Sequence, residues 1–298
     1  MLHPQAEAAM ALWSQGPSIT DAGFDATGIE QMRREALAAA AAEPREPVHR
    51  VRDVDADGVP CRLYIPDGAE GVVVFLHGGG FAFGDIDTHD AQSRRVVNRT
   101  GCAVLTVGYR RPPEHRFPAA PHDVDRAVAW LRSSGEDQGL RTSRLMALGD
   151  SAGGNLALVV ALRNPGVLSA IVLVYPFLDP DQGSETYRTQ DNFALSSAEC
   201  RWYWEQYAGR AADLRDSDLA PLLSTSLGGL PPTLIQSAEH DVLLGEDLTL
   251  ARRIADCGGT VESTAYPGMI HGFWRHPELF DAAEPALAET ADFLRRHP

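Results

Sequence analysis

A strand-to-helix turn in the middle of the chain constrains the fold more than any other feature of the sequence. The segment RLMALGDSAGGNLALVVAL, residues 144–162, joins an apolar strand candidate to an apolar helix candidate through the pattern G-x-S-x-G. Gly149 and Gly153 lie two residues before and after Ser151, where small residues let the backbone turn sharply without Cβ clashes. The pattern also occurs by chance as an ordinary glycine-containing turn, but the flanking strand and helix favour a turn that exposes the serine.

Along the rest of the chain, strand-like and helix-like segments alternate, which predicts an α/β fold with a mainly parallel sheet covered by helices. Several strand candidates are continuous apolar runs, as is typical of strands buried on both faces. The strand candidates are residues 60–66, 71–77, 102–109, 144–149, 169–175, 233–239 and 260–266. The helix candidates are residues 88–99, 121–133, 152–163, 246–257 and 283–296.

Two segments interrupt this alternation. The first is helical in character and contains TGIEQMRREALAAAAAE, in which Thr27 and Glu30 have the spacing of a capping box. The second contains SSAECRWYWEQYAG, an aromatic-rich helix flanked by loops, and its size and late position suggest a lid or cap. The sequence therefore divides into an N-terminal helical segment at residues 1–45, a first part of an α/β core at 46–179, the insertion at 180–230 and a second part of the core at 231–298.

The composition argues against several classes of protein. Acidic residues outnumber basic residues by 41 to 26, giving a net charge of −15, so nucleic acid is not an expected partner. The longest apolar runs, such as AIVLVYPFL at 170–178, are too short for a membrane span, and residues 1–18 lack the features of a secretory signal. Four scattered cysteines, without CxxC or paired histidine spacing, predict neither a metal site nor disulfides and favour a reducing cytoplasm.

Ser151 needs partners elsewhere in the chain, because a serine hydroxyl is a weak nucleophile without a base. Where a serine occupies such a turn, the order along the chain is serine, then aspartate or glutamate, then histidine. Asp241 follows the strand candidate 233–239, and His271 lies in the loop after the strand candidate 260–266. All three residues are therefore predicted at the carboxyl ends of strands, where the active-site residues of open parallel sheets gather.

Other residues compete for two of these roles. A single loop aspartate is most often a solvated charge or a helix cap, and Glu239 and Glu246 are alternative acids. The chain has ten histidines, so proximity in the sequence identifies none of them. His271 is favoured because it follows the last strand and precedes a glycine and a phenylalanine, whereas His77 and His115 are expected to be structural.

Three consecutive glycines follow the strand candidate 71–77, in the segment HGGG at residues 77–80. Glycine is costly to order, so three in a row indicate either a tight turn or the close approach of another group to the backbone. Acyl transfer develops negative charge on an oxygen, and backbone N–H groups of such a loop can hold that charge together with the N–H of Ala152. A nucleotide loop is disfavoured because neither G-K-[ST] nor G-x-G-x-x-G is present.

Four blocks together resemble the hormone-sensitive-lipase-like branch of the α/β-hydrolases, also called bacterial esterase family IV. They run across most of the chain in the order of that family: HGGGF at 77–81, YRRPPEHRFPAAPHD at 109–123, GDSAGG at 149–154, and Asp241 followed by HGF at 271–273. Arg111 and Pro112 replace the Leu-Ala usual in the second block, and Val242 and Gly245 depart from the usual D-P-L-x-D-E after the acid.

The resemblance implies an α/β-hydrolase fold, with a mostly parallel eight-stranded sheet flanked by helices. It also implies a helical cap, made from the N-terminal segment 1–45 and the insertion 180–230, over a catalytic α/β core of residues 46–179 and 231–298. It implies Ser151 as nucleophile, His271 as general base and acid, and Asp241 as the residue that orients the histidine. It places the donors of the oxyanion hole at Gly79, Gly80 and Ala152, with Gly78 as a substitute for one of them.

The resemblance also implies a carboxylesterase that hydrolyses short- to medium-chain acyl esters through an acyl-enzyme, without a cofactor. An amidase or deacetylase of an acylated natural product would use the same residues, and a small-molecule receptor on the same fold would need none of the triad. Many members of the family form dimers, so a homodimer is an open expectation. Seven aromatic residues are candidates for an acyl pocket but are more often cap packing at such spacing: Phe81, Phe83, Trp202, Tyr203, Trp204, Tyr207 and Phe273.

Overall fold

One eight-stranded sheet organises the protein in a computed structural model that describes residues 1–16 and 18–297. Its strands are β1 Arg50–Asp55, β2 Pro60–Ile65, β3 Val72–Leu76, β4 Ala103–Val107, β5 Leu145–Asp150, β6 Ala170–Val174, β7 Thr233–His240 and β8 Val261–Ile270. The spatial order is β1-β2-β4-β3-β5-β6-β7-β8, and only the pairings of β2 are antiparallel. The predicted eight-stranded, mostly parallel sheet is confirmed.

Helices cover both faces of this sheet. They are α1 Pro4–Trp13, α2 Ala26–Ala42, α3 Asp90–Thr100, α4 Ala119–Ser134, α5 Ala152–Arg163, α6 Thr186–Thr189, α7 Ser197–Tyr207, α8 Leu244–Asp256 and α9 Ala283–Arg296. Apolar side chains of α1, α3 and α9 pack on one face, and those of α4, α5, α7 and α8 belong to the core on the other. Successive residues of β3 alternate between the two cores, which explains its unbroken apolar sequence.

Two local features differ from the sequence-based expectation. β1 was not predicted. It lies at the edge of the sheet, its residues are only partly buried, and the charged residues of RVRDVD obscure the alternation of apolar and polar positions that is typical of a strand. The capping box predicted from Thr27 and Glu30 is wrong: Asp25 is the N-cap of α2 and accepts hydrogen bonds from the N–H groups of Thr27 and Gly28.

None of the helices in residues 1–16 and 18–297 has both the length and the apolar character needed to cross a bilayer.

Candidate active site

The turn that carries Ser151 has the strained geometry that its sequence pattern predicts. Ser151 connects β5 to α5 with φ 55° and ψ −118°, a conformation that a residue with a side chain rarely adopts. A Cβ atom on Gly149 would overlap the carbonyl oxygen of Gly153, and a Cβ on Gly153 would overlap the carbonyl oxygen of Leu76 at the end of β3. The two glycines are therefore needed for the turn itself and for its packing beside the glycine loop.

The structure brings the three residues predicted from chain order into one hydrogen-bonded row. Nε2 of His271 lies 3.0 Å from Oγ of Ser151, and Nδ1 of His271 lies 2.6 Å from Oδ2 of Asp241. Each residue directly follows a strand, namely β5, β7 or β8. Asp241 is 2% exposed, and its second oxygen accepts a hydrogen bond from the N–H of Leu243 at 3.0 Å. The carboxylate is thus fixed where it holds the imidazole toward the serine.

The alternative acids lie elsewhere. Glu246 is buried and accepts hydrogen bonds from the N–H groups of Leu178 and Asp179, and burial raises its pKa well above the usual value. Glu239 accepts a hydrogen bond from the N–H of Gly268, at a distance of 2.7 Å. Neither glutamate is hydrogen-bonded to His271, so the geometry favours Asp241 as its partner.

The glycine loop 77–80 lies beside Ser151, and its N–H groups are not equivalent. Gly78 donates its N–H to Oδ1 of Asp150 at 2.9 Å, so this group already has an acceptor and the geometry favours the other glycines as oxyanion donors. The N–H groups of Gly79, Gly80 and Ala152 have no acceptor among the described residues. Gly79 has φ 113° and its carbonyl accepts the N–H groups of Ala82 and Phe83, which closes a tight turn.

Asp150 is a functional candidate that the sequence argument did not single out, although it is the residue before Ser151 in the G-x-S-x-G pattern. It is 5% exposed, and burial raises the pKa of its carboxyl above the usual value. A Cβ on Gly78 would overlap the Asp150 carboxylate, which gives a second reason for glycine there. Asp150 therefore joins the turn that carries the serine to the loop that follows β3.

Two buried histidines lie close together, with ring centroids 5.2 Å apart: His77, the first residue of the glycine loop, and His89, the N-cap of α3. His77 stacks on Tyr109 with ring centroids 4.2 Å apart, and the Tyr109 hydroxyl donates to the carbonyl oxygen of His77 at 2.7 Å. Burial lowers the pKa of His77 to about 3 and that of His89 well below the usual value. The contacts of His77 agree with the expected structural role, since they lie in the scaffold of the loop.

The lowered pKa values of His77 and His89 predict that the protein loses stability in acid. In the unfolded chain both take up a proton near pH 6.5, whereas burial disfavours the protonated form in the folded protein, so the free energy of unfolding falls as the pH drops below about 6.5. For His77 this fall continues toward pH 3. Each contributes a slope of at most about 1.4 kcal/mol per pH unit. We expect His89→Asn to reduce the decrease in urea midpoint between pH 7 and pH 5.

The matched control is His115→Asn, the same substitution at an exposed position. A pH dependence of the His89→Asn midpoint as steep as that of wild type would contradict the prediction. The comparison uses differences between variants because the buried carboxyls of Glu246 and Asp247, whose pKa values are raised, change stability in the opposite direction.

A cleft of about 450 Å³ opens above Ser151 and His271. Residues from the sheet, the glycine loop and both irregular segments line it. Of the seven aromatic residues considered as an acyl pocket, Tyr203 is in this lining. The others include Phe81 and Tyr207, whose rings stack with their centroids 3.7 Å apart within the buried core, so these two contribute to packing.

Several lining residues could not be found from the sequence. Trp13 and Met32 come from the N-terminal helices, and Arg275 follows the last strand. None belongs to a motif, and only the tertiary packing of α1 and α2 over the sheet places the first two at the cleft. Within residues 1–16 and 18–297, no three His, Cys, Asp or Glu side chains are grouped so that they could hold a metal ion.

The chain resembles known proteins in both sequence and structure. Residues 73–275 match the sequence profile of a family with the α/β-hydrolase fold. The chain is 31% identical over 254 residues to an ethyl acetate hydrolase of Pseudomonas putida, covering 82% of this chain and 80% of that protein. It is 32% identical over 260 residues to an arylesterase of Saccharolobus solfataricus, covering 84% of each. A hyperthermophilic esterase from the archaeon Pyrobaculum calidifontis superimposes with a TM-score of 0.89 at 28% identity, covering 99% of this chain and 98% of that one.

The sheet, the strained serine turn and the matching relatives define the class as a hydrolase of the α/β type. The chain belongs to the α/β-hydrolase fold family, and its predicted relation to the hormone-sensitive-lipase-like esterases is confirmed. The prediction of an enzyme of the serine ester-hydrolase class is confirmed by the same relatives.

Proposed function

We propose that the protein is a carboxylesterase that hydrolyses short- to medium-chain acyl esters in two steps, with an acyl-enzyme on Ser151 between them. The observation that carries this proposal is the row of hydrogen bonds from Asp241 through His271 to Ser151, beside three backbone N–H groups without an acceptor among the described residues. This arrangement supplies a nucleophile, its base and donors for a developing negative charge.

In the first step, the Oγ of Ser151 attacks the ester carbonyl while Nε2 of His271 accepts the hydroxyl proton. The carbonyl oxygen becomes negatively charged, and the N–H groups of Gly79, Gly80 and Ala152 donate to it. Collapse of this intermediate breaks the bond to the alcohol, which leaves with the proton from His271. Asp241 accepts the Nδ1–H and thereby keeps Nε2 free to act as the base.

In the second step, His271 removes a proton from a water molecule, which attacks the acyl carbonyl on Ser151. The same N–H groups hold the second oxyanion, and the proton returns to Oγ as the carboxylic acid is released. No bound metal or cofactor takes part in either step, because the histidine and the backbone supply the proton transfer and the charge stabilisation.

The cap is proposed to comprise residues 1–45 and 180–230, around a core of 46–179 and 231–298. Trp13 and Met32 from the first segment and Leu195 and Tyr203 from the second line the cleft above Ser151. A neighbouring cavity of about 460 Å³ shares some of these walls, including Trp13 and Tyr203. Cleft and cavity each lie in the range usual for small-molecule sites, which supports a small ester as the substrate.

The test is a series of p-nitrophenyl esters from acetate to palmitate, with p-nitroanilides of the same acids beside them. We expect kcat/KM to be highest between the acetate and the octanoate and to fall for the palmitate, as the proposed preference for short and medium acyl chains requires. Hydrolysis of the anilides above that of the esters would replace the proposal with an amidase. An absence of hydrolysis throughout the series would remove the proposed substrate class.

Two further expectations stay predictions. The four cysteines are free thiols, three of them buried, which supports the proposed cytoplasmic location. Dimerisation is an expectation from the resemblance, and sedimentation of the purified protein would test it.

A further inference from the structure

Arg33 connects the proposed cap to the glycine loop by a set of hydrogen bonds that lies apart from the triad. It is on α2, and its side chain is only 15% exposed. Its Nε and Nη2 both donate to the carbonyl oxygen of Ala82, at 2.9 and 2.7 Å, and Nη2 also donates to that of Pro112 at 2.6 Å. Its Nη1 pairs with Glu114 at 2.8 Å. One guanidinium thus joins three segments that are distant in sequence.

The carbonyl that Arg33 holds belongs to the turn that presents the oxyanion donors. The N–H of Ala82 donates to the carbonyl oxygen of Gly79 at 3.1 Å, so Ala82 and Gly79 belong to one tight turn. Directly after this turn, the carbonyl oxygen of Gly84 accepts a hydrogen bond from Arg111. The loop that carries the N–H groups of Gly79 and Gly80 is therefore fixed by two arginines, which donate hydrogen bonds to its carbonyl oxygens.

We propose that Arg33 is a positioning residue: by fastening α2 to Ala82, it sets the orientation of the Gly79 and Gly80 N–H groups toward the oxyanion. The inference rests on the proposed function, since it assigns a role in the same oxyanion hole. It couples the docking of the cap helix to catalysis, so that the hole is complete only when α2 is in place. Misplacement of donors by even about 1 Å has large effects on rate.

The geometry distinguishes this role from that of a surface ion pair. Glu114, the charged partner of Arg33, is 56% exposed, and such pairs contribute little. The bonds to Ala82 and Pro112 are partly buried and use the planar fork of the guanidinium, which lysine cannot reproduce. The carbonyl contacts, rather than the ion pair, therefore carry the proposed effect.

The experiment compares Arg33→Ala with Arg34→Ala, the same change on the next residue of α2. Arg34 is 60% exposed and, among the residues that the structure describes, pairs only with Glu30 on its own helix, so its variant serves as the matched control. With p-nitrophenyl acetate, we expect Arg33→Ala to lower kcat about 10- to 100-fold with KM unchanged. An alkyl trifluoromethyl ketone adds to Oγ of Ser151 and forms an oxyanion, so its Ki is expected to rise by the same factor.

Two additions separate positioning from loss of structure. Guanidinium ion at millimolar concentration is expected to restore part of the kcat of Arg33→Ala and to leave Arg34→Ala unchanged. Arg33→Lys, which keeps the charge and most of the side-chain length, is expected to have an intermediate kcat, and circular dichroism checks that each variant is folded. If Arg33→Ala does not fold, the kcat and Ki of Arg33→Lys decide the question.

An unchanged kcat and an unchanged Ki for the ketone in a folded Arg33 variant would overturn the inference. So would a rise in KM with kcat unchanged, because that result would mean that Arg33 only shapes the cleft. Either outcome leaves the proposed esterase intact as long as wild type hydrolyses the ester and Ser151→Ala does not. Failure of wild type on every ester would instead remove the proposed function.

Discussion

Replacement of Ser151 by alanine is expected to lower kcat for p-nitrophenyl butyrate by about 10⁶-fold, the scale on which serine hydrolases lose activity without their nucleophile. The reason is that no acyl-enzyme can form, and His271 and the backbone donors can then assist only the direct attack of water. The alanine removes one oxygen from a turn whose strain is in the backbone, so the fold is expected to be retained. Steady-state kinetics together with circular dichroism measure both effects.

Ser133→Ala is the control for this prediction. Ser133 lies at the exposed end of α4, and its hydroxyl is hydrogen-bonded to the carbonyl oxygen of Trp130 and to the hydroxyl of Ser134. Its activity is expected to equal that of wild type. A folded Ser151→Ala variant with activity close to that of wild type would exclude Ser151 as the nucleophile.

The second large effect is expected from Asp241→Asn, which should lower kcat by about 10⁴-fold while changing little in shape. Asp241 accepts the Nδ1–H of His271 at 2.6 Å, and an amide can instead present its NH₂ group to Nδ1. The imidazole would then carry its proton on Nε2, facing Ser151, and could not accept the serine proton. The measurement is kcat at neutral pH.

The two glutamates that competed with Asp241 serve as controls. Glu239→Gln removes a charge that contacts the N–H of Gly268 and the ring of His240, and we expect kcat to stay near that of wild type. Glu246→Gln changes a buried carboxyl that binds two backbone N–H groups, so its main effect is expected on the urea midpoint. A loss of kcat in either variant as large as that in Asp241→Asn would contradict the assignment of the acid.

Much of the candidate site was predictable because its residues are tied to local patterns. Two glycines flank Ser151 in the sequence, and a side chain at either position would overlap with neighbouring backbone. Asp241 and His271 directly follow β7 and β8, and parallel strands bring their carboxyl ends to one edge of the sheet. Chain order and strand ends were therefore enough to predict that the three side chains meet.

The rest depends on contacts that sequence patterns do not encode. Three glycines in a row do not reveal that the N–H of Gly78 is bonded to Asp150, which depends on a side chain 72 residues away. Trp13 and Met32 reach the cleft only because α1 and α2 fold over the sheet. The edge strand β1 has an exposed, charged sequence, and the capping of α2 depends on which of several polar residues begins the helix.

The most direct test of the account is to identify the residue that forms the covalent intermediate. An alkyl p-nitrophenyl phosphonate would react as the ester does: Oγ bonds to phosphorus, p-nitrophenolate leaves, and His271 takes the proton, but water does not readily release the adduct. Peptide mass spectrometry is expected to find the phosphonyl group on Ser151 alone, with activity lost in proportion to the labelled fraction and no label in Ser151→Ala. A label on another residue that accounts for the lost activity, or full inactivation with Ser151 unmodified, would contradict the account.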